Sequence, residues 1–276
     1  MNSPPKVKVF VEGRYKKLSR ELPQTVFFCP DCKGHPRRRK SCERCGGFGK
    51  LTRESVQELI GWVLGKAFGT RKHKFHGAGR EDVDVRMLGT GRPFVIELIA
   101  PKTHDVDLAA VEAEINRRNE GKLEVLGLHW TEKERVRTLK EGKHAKEYRA
   151  LVAVDGEPDP ERVRELVGRR LSVAQRTPSR VAHRRADKVR ERWVEFRSIE
   201  PADGEHLDVR VACEHGTYVK EAISGEDGAT EPSLAALLDV GTRCIELDVV
   251  RILDEEGREE LAPVRRDPRL GFGAGI

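Results

Sequence analysis

His76-Gly-Ala-Gly-Arg80-Glu-Asp82-Val-Asp84-Val-Arg86-Met-Leu-Gly89-Thr-Gly-Arg92-Pro-Phe94 joins a glycine-bearing turn to two runs of alternating apolar residues. Gly77 and Gly79 allow a tight approach of the backbone, and Asp82 stands where a strand begins. Val83, Val85 and Met87 recur at every second position, which puts them on one face of that strand. Phe94, Ile96 and Leu98 repeat the pattern. Gly89-Thr-Gly91 between the runs predicts a turn and therefore a β-hairpin. Asp84, two residues beyond Asp82, would share its face. A carboxylate at the head of a strand is ordinarily a solvated charge, so position alone assigns Asp82 no chemistry.

The flanking sequence alternates in the same way. Lys6 to Val11 reads as a strand, and Val56, Leu59, Ile60, Val63, Leu64 and Phe68 recur at helical spacing, with Thr52 as the expected N-cap and Gly69 at the end. Asp107 caps a helix through Leu108, Val111 and Ile115 that Gly121 closes. Leu123 to Trp130 and Glu147 to Val154 read as strands, and Pro160 to Leu171 as a helix. Trp193 to Ile199 and Leu207 to Cys213 form a hairpin pattern about Pro201 to Gly204. Thr217 to Ile223 and Ser233 to Leu238 suggest short helices, and Cys244 to Leu253 a last strand. Strands dominate without a βαβ rhythm, which predicts an α+β fold: a mainly antiparallel mixed sheet flanked by helices. Residues 1–276 are expected to form one domain, and residues 267–276, with three glycines, a mobile tail.

Four of the six cysteines stand as Cys29-Pro-Asp-Cys32 and Cys42-Glu-Arg-Cys45, separated by the nine residues from Lys33 to Ser41. Each pair lets two thiolates of one turn face one ion, and two turns complete the tetrahedral shell of structural Zn²⁺. With four protein ligands no position stays open for catalysis, so residues 29–49 are expected to be a small structural zinc-binding insert. The alternative, a disulfide or redox pair, is disfavoured inside a cell. Cys213 and Cys244 read as small buried apolar residues.

The 276 residues carry 52 Lys or Arg and 46 Asp or Glu, a formal charge of +6. Its placement says more than its sum. Arg37 to Lys40, Arg71 to Lys74 and the segment from Gln175 to Arg192 are basic, while acids gather from Asp254 to Glu260. Such patches suit nucleic acid, because phosphates neutralised by cations release counterions; the plain alternative for any single run is a solvated face. No run of ~18 apolar residues and no secretory leader is evident, which argues against a membrane role and for a cytoplasmic protein. No Walker loop or dinucleotide fingerprint appears, so no organic cofactor is expected.

The stretch from His76 to Phe94 closely resembles the active-site segment of pseudouridine synthases, and in particular the archaeal and eukaryotic family that modifies the TΨC arm of tRNA, often called pseudouridine synthase ten. Four further stretches agree in order: Gly13-Arg-Tyr15 through Gln24-Thr25; Lys146-Glu-Tyr148; Gln175-Arg-Thr-Pro178 through His183-Arg-Arg185; and Gly216-Thr-Tyr-Val-Lys220 through Glu231-Pro-Ser-Leu234. The resemblance covers nearly the whole chain and implies the pseudouridine synthase fold. It implies isomerisation of uridine at uracil-54, uracil-55 or both, by cleavage of C1′–N1, rotation of the base and rejoining through C5.

By that resemblance Asp82, and not Asp84, is the nucleophile. Lys220 holds the basic position that pairs with the catalytic carboxylate, which favours its ionised form. Tyr148 matches the ring that stacks on the uracil once the base has left its helical stack, and Tyr218 belongs to the same pocket. Without the resemblance, Tyr148 would read as strand packing and Lys220 as a surface lysine. Arg80, Arg92, Arg176, Arg180, Arg184 and Arg185 become candidates for phosphate contacts. The zinc module either extends the RNA platform through Arg37 to Lys40 or stabilises an inserted loop. Relatives carry an additional RNA-binding portion, of the THUMP kind in archaea, so this chain is expected either to bind tRNA alone or to use a separate THUMP-type protein in trans. A competing reading from another class is a non-catalytic, zinc-containing RNA-binding protein on a synthase fold; the joint presence of Asp82, Tyr148 and Lys220 favours the enzyme.

Overall fold

Alternating apolar residues organise two groups of strands, and each group gathers its own helices. The computed structural model describes residues 7–253, apart from the side chains of 183 and 184. The chain, which the sequence predicts as one domain, divides into two compact units, the first up to Gly142 and the second from Lys143. The expected tail at 267–276 lies outside the described residues.

The first unit contains β1 (Lys8–Lys17), α1 (Val56–Ala67), β2 (Lys72–Gly77), β3 (Arg86–Ile99), α2 (Leu108–Arg118), β4 (Leu123–Thr131) and α3 (Lys133–Glu141). Its strands pair antiparallel in the order β4-β1-β3, with β2 on the other side of β3. Successive β1 residues face opposite ways. Val11 lies opposite Trp130, whose ring meets Phe68 at the end of α1 with centroids 5.4 Å apart. Glu12 points the other way and is held by Arg135 of α3, Nε to Oε1 2.9 Å. Helices thus flank both faces. α3 is absent from the sequence reading because only Leu139 of its nine residues is buried, leaving almost no apolar stripe to detect.

The hairpin expected about Gly89 and Gly91 is not formed: β3 is one strand of 14 residues that runs straight through them. Both glycines have positive φ, 58° and 77°, and absorb extra residues as a bulge. Tyr15 lies opposite Arg92, yet Lys17 lies opposite Met87. A Cβ on Gly91 would come within 2.8 Å of the Tyr15 carbonyl oxygen, so glycine is required there. Arg14 takes the carbonyls that the bulge frees, Nε donating to Thr90 O at 2.8 Å and Nη2 to Gly91 O at 2.9 Å. Asp82 and Asp84 precede the strand in a turn closed by Val85 N–H to Asp82 O, 3.2 Å, so strand parity does not relate them.

α1 starts at Ser55 and not at Thr52. Ser55 Oγ accepts from Glu58 N–H at 3.2 Å, as an N-cap does, and its hydroxyl donates to the Glu58 carboxylate at 2.7 Å, whereas the Thr52 hydroxyl makes no such bond.

The second unit contains β5 (Lys146–Val154), α4 (Pro160–Leu166), β6 (Arg170–Arg176), β7 (Val189–Asp203), β8 (His206–Cys213), α5 (Val219–Ser224), β9 (Thr230–Glu231), α6 (Leu234–Leu238) and β10 (Thr242–Ile252). The strand order is β10-β5-β8-β7-β6-β9, again antiparallel. One sheet face is apolar, with Ala150, Val152, Val209, Val211 and Val249 at 0 or 1% exposure, and α5 packs against β10 and β6. The other is charged: Glu147 lies among Arg197, Arg210 and Arg251 at 2.7, 3.5 and 3.6 Å. The helix expected to reach Leu171 ends at Leu166, because Gly168 adopts φ 77° and donates its N–H to Phe196 O, turning the chain into β6. Cys213 is buried as expected, whereas Cys244 is partly exposed and hence no core residue. Among the described residues no helix is long and apolar enough to cross a membrane.

A Cβ on Gly65 of α1 would lie 2.6 Å from the Thr70 carbonyl oxygen. Alanine gains about 1 kcal/mol in helix propensity, and overpacking against backbone costs about 1–3 kcal/mol. Gly65→Ala is therefore expected to lower the urea midpoint; a raised midpoint would contradict this packing.

Candidate active site

The loop from Ala78 to Val85, which carries Asp82, has no strand partner for most of its carbonyls. Side chains supply the donors instead. Arg92 Nη1 donates to Ala78 O at 2.7 Å and Gln24 Nε2 to Gly79 O at 2.9 Å. Lys17 Nζ donates to Asp82 O at 3.0 Å, to Val83 O at 2.8 Å and to Leu22 O at 2.9 Å. Arg20 reaches Asp84 O at 3.0 Å.

Glu81 points inward beneath this loop. Its carboxylate, 1% exposed, pairs with Arg92 Nε at 2.7 Å and accepts the Tyr15 hydroxyl at 2.8 and 3.0 Å. Gln24 Nε2 donates to the Tyr15 oxygen at 2.8 Å. Burial, reinforced by Glu81, pushes the Tyr15 phenol well above its usual value. Burial lowers Lys17 from 10.5 to about 8, against the pull of Glu81, Asp84 and Asp82. Asp82 itself is partly exposed above this frame. Arg80 is exposed, whereas Arg92, expected at a phosphate, is 1% exposed and spends its donors on the loop. That burial corrects the reading of Arg92 as a surface contact.

In the second unit Tyr148 lies on β5 opposite Val211 and Val249, on the apolar face, and is partly exposed. Tyr218 caps α5, and Lys220 follows in its first turn. Gln175, 1% exposed, brackets Tyr218 like a strand partner: Oε1 accepts Tyr218 N–H at 2.9 Å and Nε2 donates to Tyr218 O at 3.0 Å. Arg180 grips Glu221 with two bonds, 2.6 and 3.0 Å, its guanidinium carbon 5.9 Å from the Tyr218 ring centroid. Arg176 and Asp187 pair at 2.6 Å across the base of the basic loop. Arg185 is exposed, and the side chain of Arg184 lies outside the described residues.

Cys29, Cys32, Cys42 and Cys45 bring four sulfurs within 4.8 Å of one another. Two cross pairs, Cys29 with Cys42 and Cys32 with Cys45, stand at 3.7 Å. Tetrahedral ligands ~2.3 Å from a metal lie ~3.8 Å apart, so the cluster fits one thiolate-bound ion.

Residues 10–253 match the family model described as Pus10, C-terminal. The chain belongs to this family. It is 48% identical over 254 residues to the tRNA pseudouridine synthase Pus10 of Methanopyrus kandleri, covering 90% of this chain and 57% of that protein. The Pus10 proteins of Methanothrix thermoacetophila and Korarchaeum cryptofilum are 45% and 44% identical, covering 88% and 90% of this chain and 53% and 66% of theirs. The chain therefore spans between half and two thirds of the length of these curated Pus10 relatives. Among solved structures, a chain of a Cbf5-Nop10-Gar1 complex is 21% identical with a TM-score of 0.41, covering 74% of this chain and 46% of that one.

In each unit the buried charges that brace these segments, Lys17 and Glu81 in the first and Glu221 in the second, are charged residues whose type predicts solvent exposure. Gln24, Tyr15 and Gln175 fall within the resembling stretches, yet only burial reveals their part. Lys17 makes the arrangement measurable. Its folded value near 8 lies below the unfolded 10.5, so between those pH values the unfolded chain binds the extra proton, and stability rises with pH. Removing Lys17 in Lys17→Met strands three carbonyls and is expected to cost about 3 kcal/mol or more. The gap between wild type and variant should widen from pH 8 to 10.5 by about 1 kcal/mol per unit, read from urea unfolding across that range. A constant gap would mean that the amine is not desolvated.

Proposed function

We propose that this chain is a tRNA pseudouridine synthase that isomerises uridine in the TΨC loop, at uracil-55, uracil-54 or both. The observation that carries this reading is the match of residues 10–253 to the Pus10 family, whose relatives are named for that activity. Asp82 is the nucleophile, and Lys220 fills the basic role. The braced loop supports the first assignment, since a carboxylate that must attack one atom needs a fixed backbone beneath it. Tyr148 and Tyr218 present rings to the extruded uracil, with Gln175 and Arg180 fixing Tyr218. Arg80, Arg176, Arg184 and Arg185 are the phosphate contacts of this reading. The isomerisation exchanges no electrons or groups with solvent, so side chains suffice for it.

We infer that the ion suited to the four cysteines is Zn²⁺ in a structural role. Elemental analysis of the purified chain should find one zinc per molecule, and Cys32→Ser should lose it. A chain that folds without metal would remove this assignment.

The decisive assay incubates the chain with an unmodified tRNA transcript and maps pseudouridine by carbodiimide primer extension, with and without an extract of the source cells. A new stop in the TΨC loop is expected; a stop that needs the extract points to a THUMP-type partner in trans, and none at all favours a non-catalytic RNA-binding protein. Asp82→Asn should reduce turnover at least about a thousandfold while tRNA affinity stays within about twofold. Full turnover in that variant would transfer the role elsewhere. Arg184→Glu with Arg185→Glu should weaken tRNA binding and reduce the salt slope by about 0.7–0.9 per lost contact.

A further inference from the structure

The ribbon around the four cysteines presents side chains that neither the metal shell nor the core requires. Phe28 and Lys50 face each other in an isolated antiparallel bridge, and Leu51 N–H extends it to Phe27 O at 2.8 Å. Phe27, Phe28, Phe48 and Leu51 are 43, 54, 48 and 40% exposed. Among the described residues few other large apolar side chains are so exposed, and these four are collected within 25 positions of sequence. Water penalises that arrangement, so an apolar partner that covers the rings removes a standing cost.

The ribbon seats its rings deliberately. Phe28 lies over Gly34, where a Cβ would come within 2.6 Å of the ring and where φ is 69°. Lys50 Nζ stands 5.1 Å from the Phe48 ring centroid. Charge identifies the partner. Residues 29–50 hold seven Lys or Arg against two acids, and Arg37, Arg38, Arg39, Lys40 and Arg44 are all exposed. The two negative charges of a tetrathiolate bound to a divalent ion leave a positive excess. Exposed aromatic faces among cations are what unpaired RNA recognises, bases stacking on the rings while phosphates meet the cations.

We propose that the ribbon from Phe27 to Leu51 is a stacking surface for an unpaired stretch of RNA, with Phe28 and Phe48 taking bases and Arg37 to Lys40 taking phosphates. This rests on RNA being the substrate, as proposed above.

The test uses the metal-loaded full chain and a fluorescently labelled, unmodified tRNA transcript. Phe28→Ala with Phe48→Ala should raise Kd at least about thirtyfold. Phe28→Leu with Phe48→Leu, which keeps apolar cover over the ribbon but removes the flat rings, should show the same loss. In Phe48→Trp, the introduced indole should be quenched as transcript saturates the protein. Wild-type affinity in the Leu pair, or an unquenched indole at saturation, overturns the proposal. A wild-type chain that binds transcript and quenches as expected, yet forms no pseudouridine, would remove the enzymatic reading and leave the stacking surface standing.

Discussion

Glu81 is a carboxylate held at 1% exposure, and much of the first unit follows from the need to satisfy it. A buried charge is tolerable only when it is paired and hydrogen-bonded, and removing one partner of such a pair costs about 3–5 kcal/mol. Arg92 and Tyr15 are the partners, and they come from different strands. They lie directly opposite one another in the β1–β3 register, so their side chains emerge on one face. The bulge at Gly89 and Gly91 adjoins that pair. Continued without it, β3 would place its later residues out of step with β1, and one step of slip would turn Arg92 to the other face.

The same frame solves a second problem. A loop at the edge of a sheet leaves its carbonyls without ladder partners, and a buried carbonyl without a donor is destabilising. Lys17 places three donors of one ammonium on three carbonyls, and Gln24, Arg92 and Arg20 supply others. Side chains thereby take the role that secondary structure plays elsewhere. The arrangement braces the backbone at Asp82, a residue that is itself partly exposed. Lys17 is stabilised electrostatically by Glu81, Asp84 and Asp82, yet burial outweighs their pull and its proton is held less tightly than in water.

What could be read in the sequence divides along the range of the interactions involved. The cysteine cluster is set by spacing within 17 residues, and the structure brings its four sulfurs together. The cap at Asp107, the short helix after Ser233 and the β7–β8 hairpin are equally local. Gly89 and Gly91 suggest a reversal in the sequence, but positive φ serves a bulge as well, and only the β1 partner distinguishes the two. Arg92, a candidate phosphate contact from its place in the resembling stretch, proves buried, since a partner 11 residues upstream claims it. Lys17 and Gln24 have meaning only beside a loop about 60 positions away in sequence. Tyr148 and Lys220 stand out by resemblance alone, because a tyrosine in a strand and a lysine in a short helix have no distinguishing pattern.

The basic loop of the second unit shows why counting charges does not identify RNA ligands. Arg176 and Arg180 lie four residues apart and both pair with acids, but their partners differ in burial. Asp187 is exposed, and solvent screens such a pair so that it holds Arg176 only weakly. Glu221 is 4% exposed. Drawing Arg180 away would leave a buried carboxylate unpaired, which no single phosphate contact repays. Arg180 is therefore held beside the Tyr218 ring more firmly than Arg176 is held by Asp187. Two arginines of identical chemistry thus take different parts, and the burial of the acid opposite each decides which.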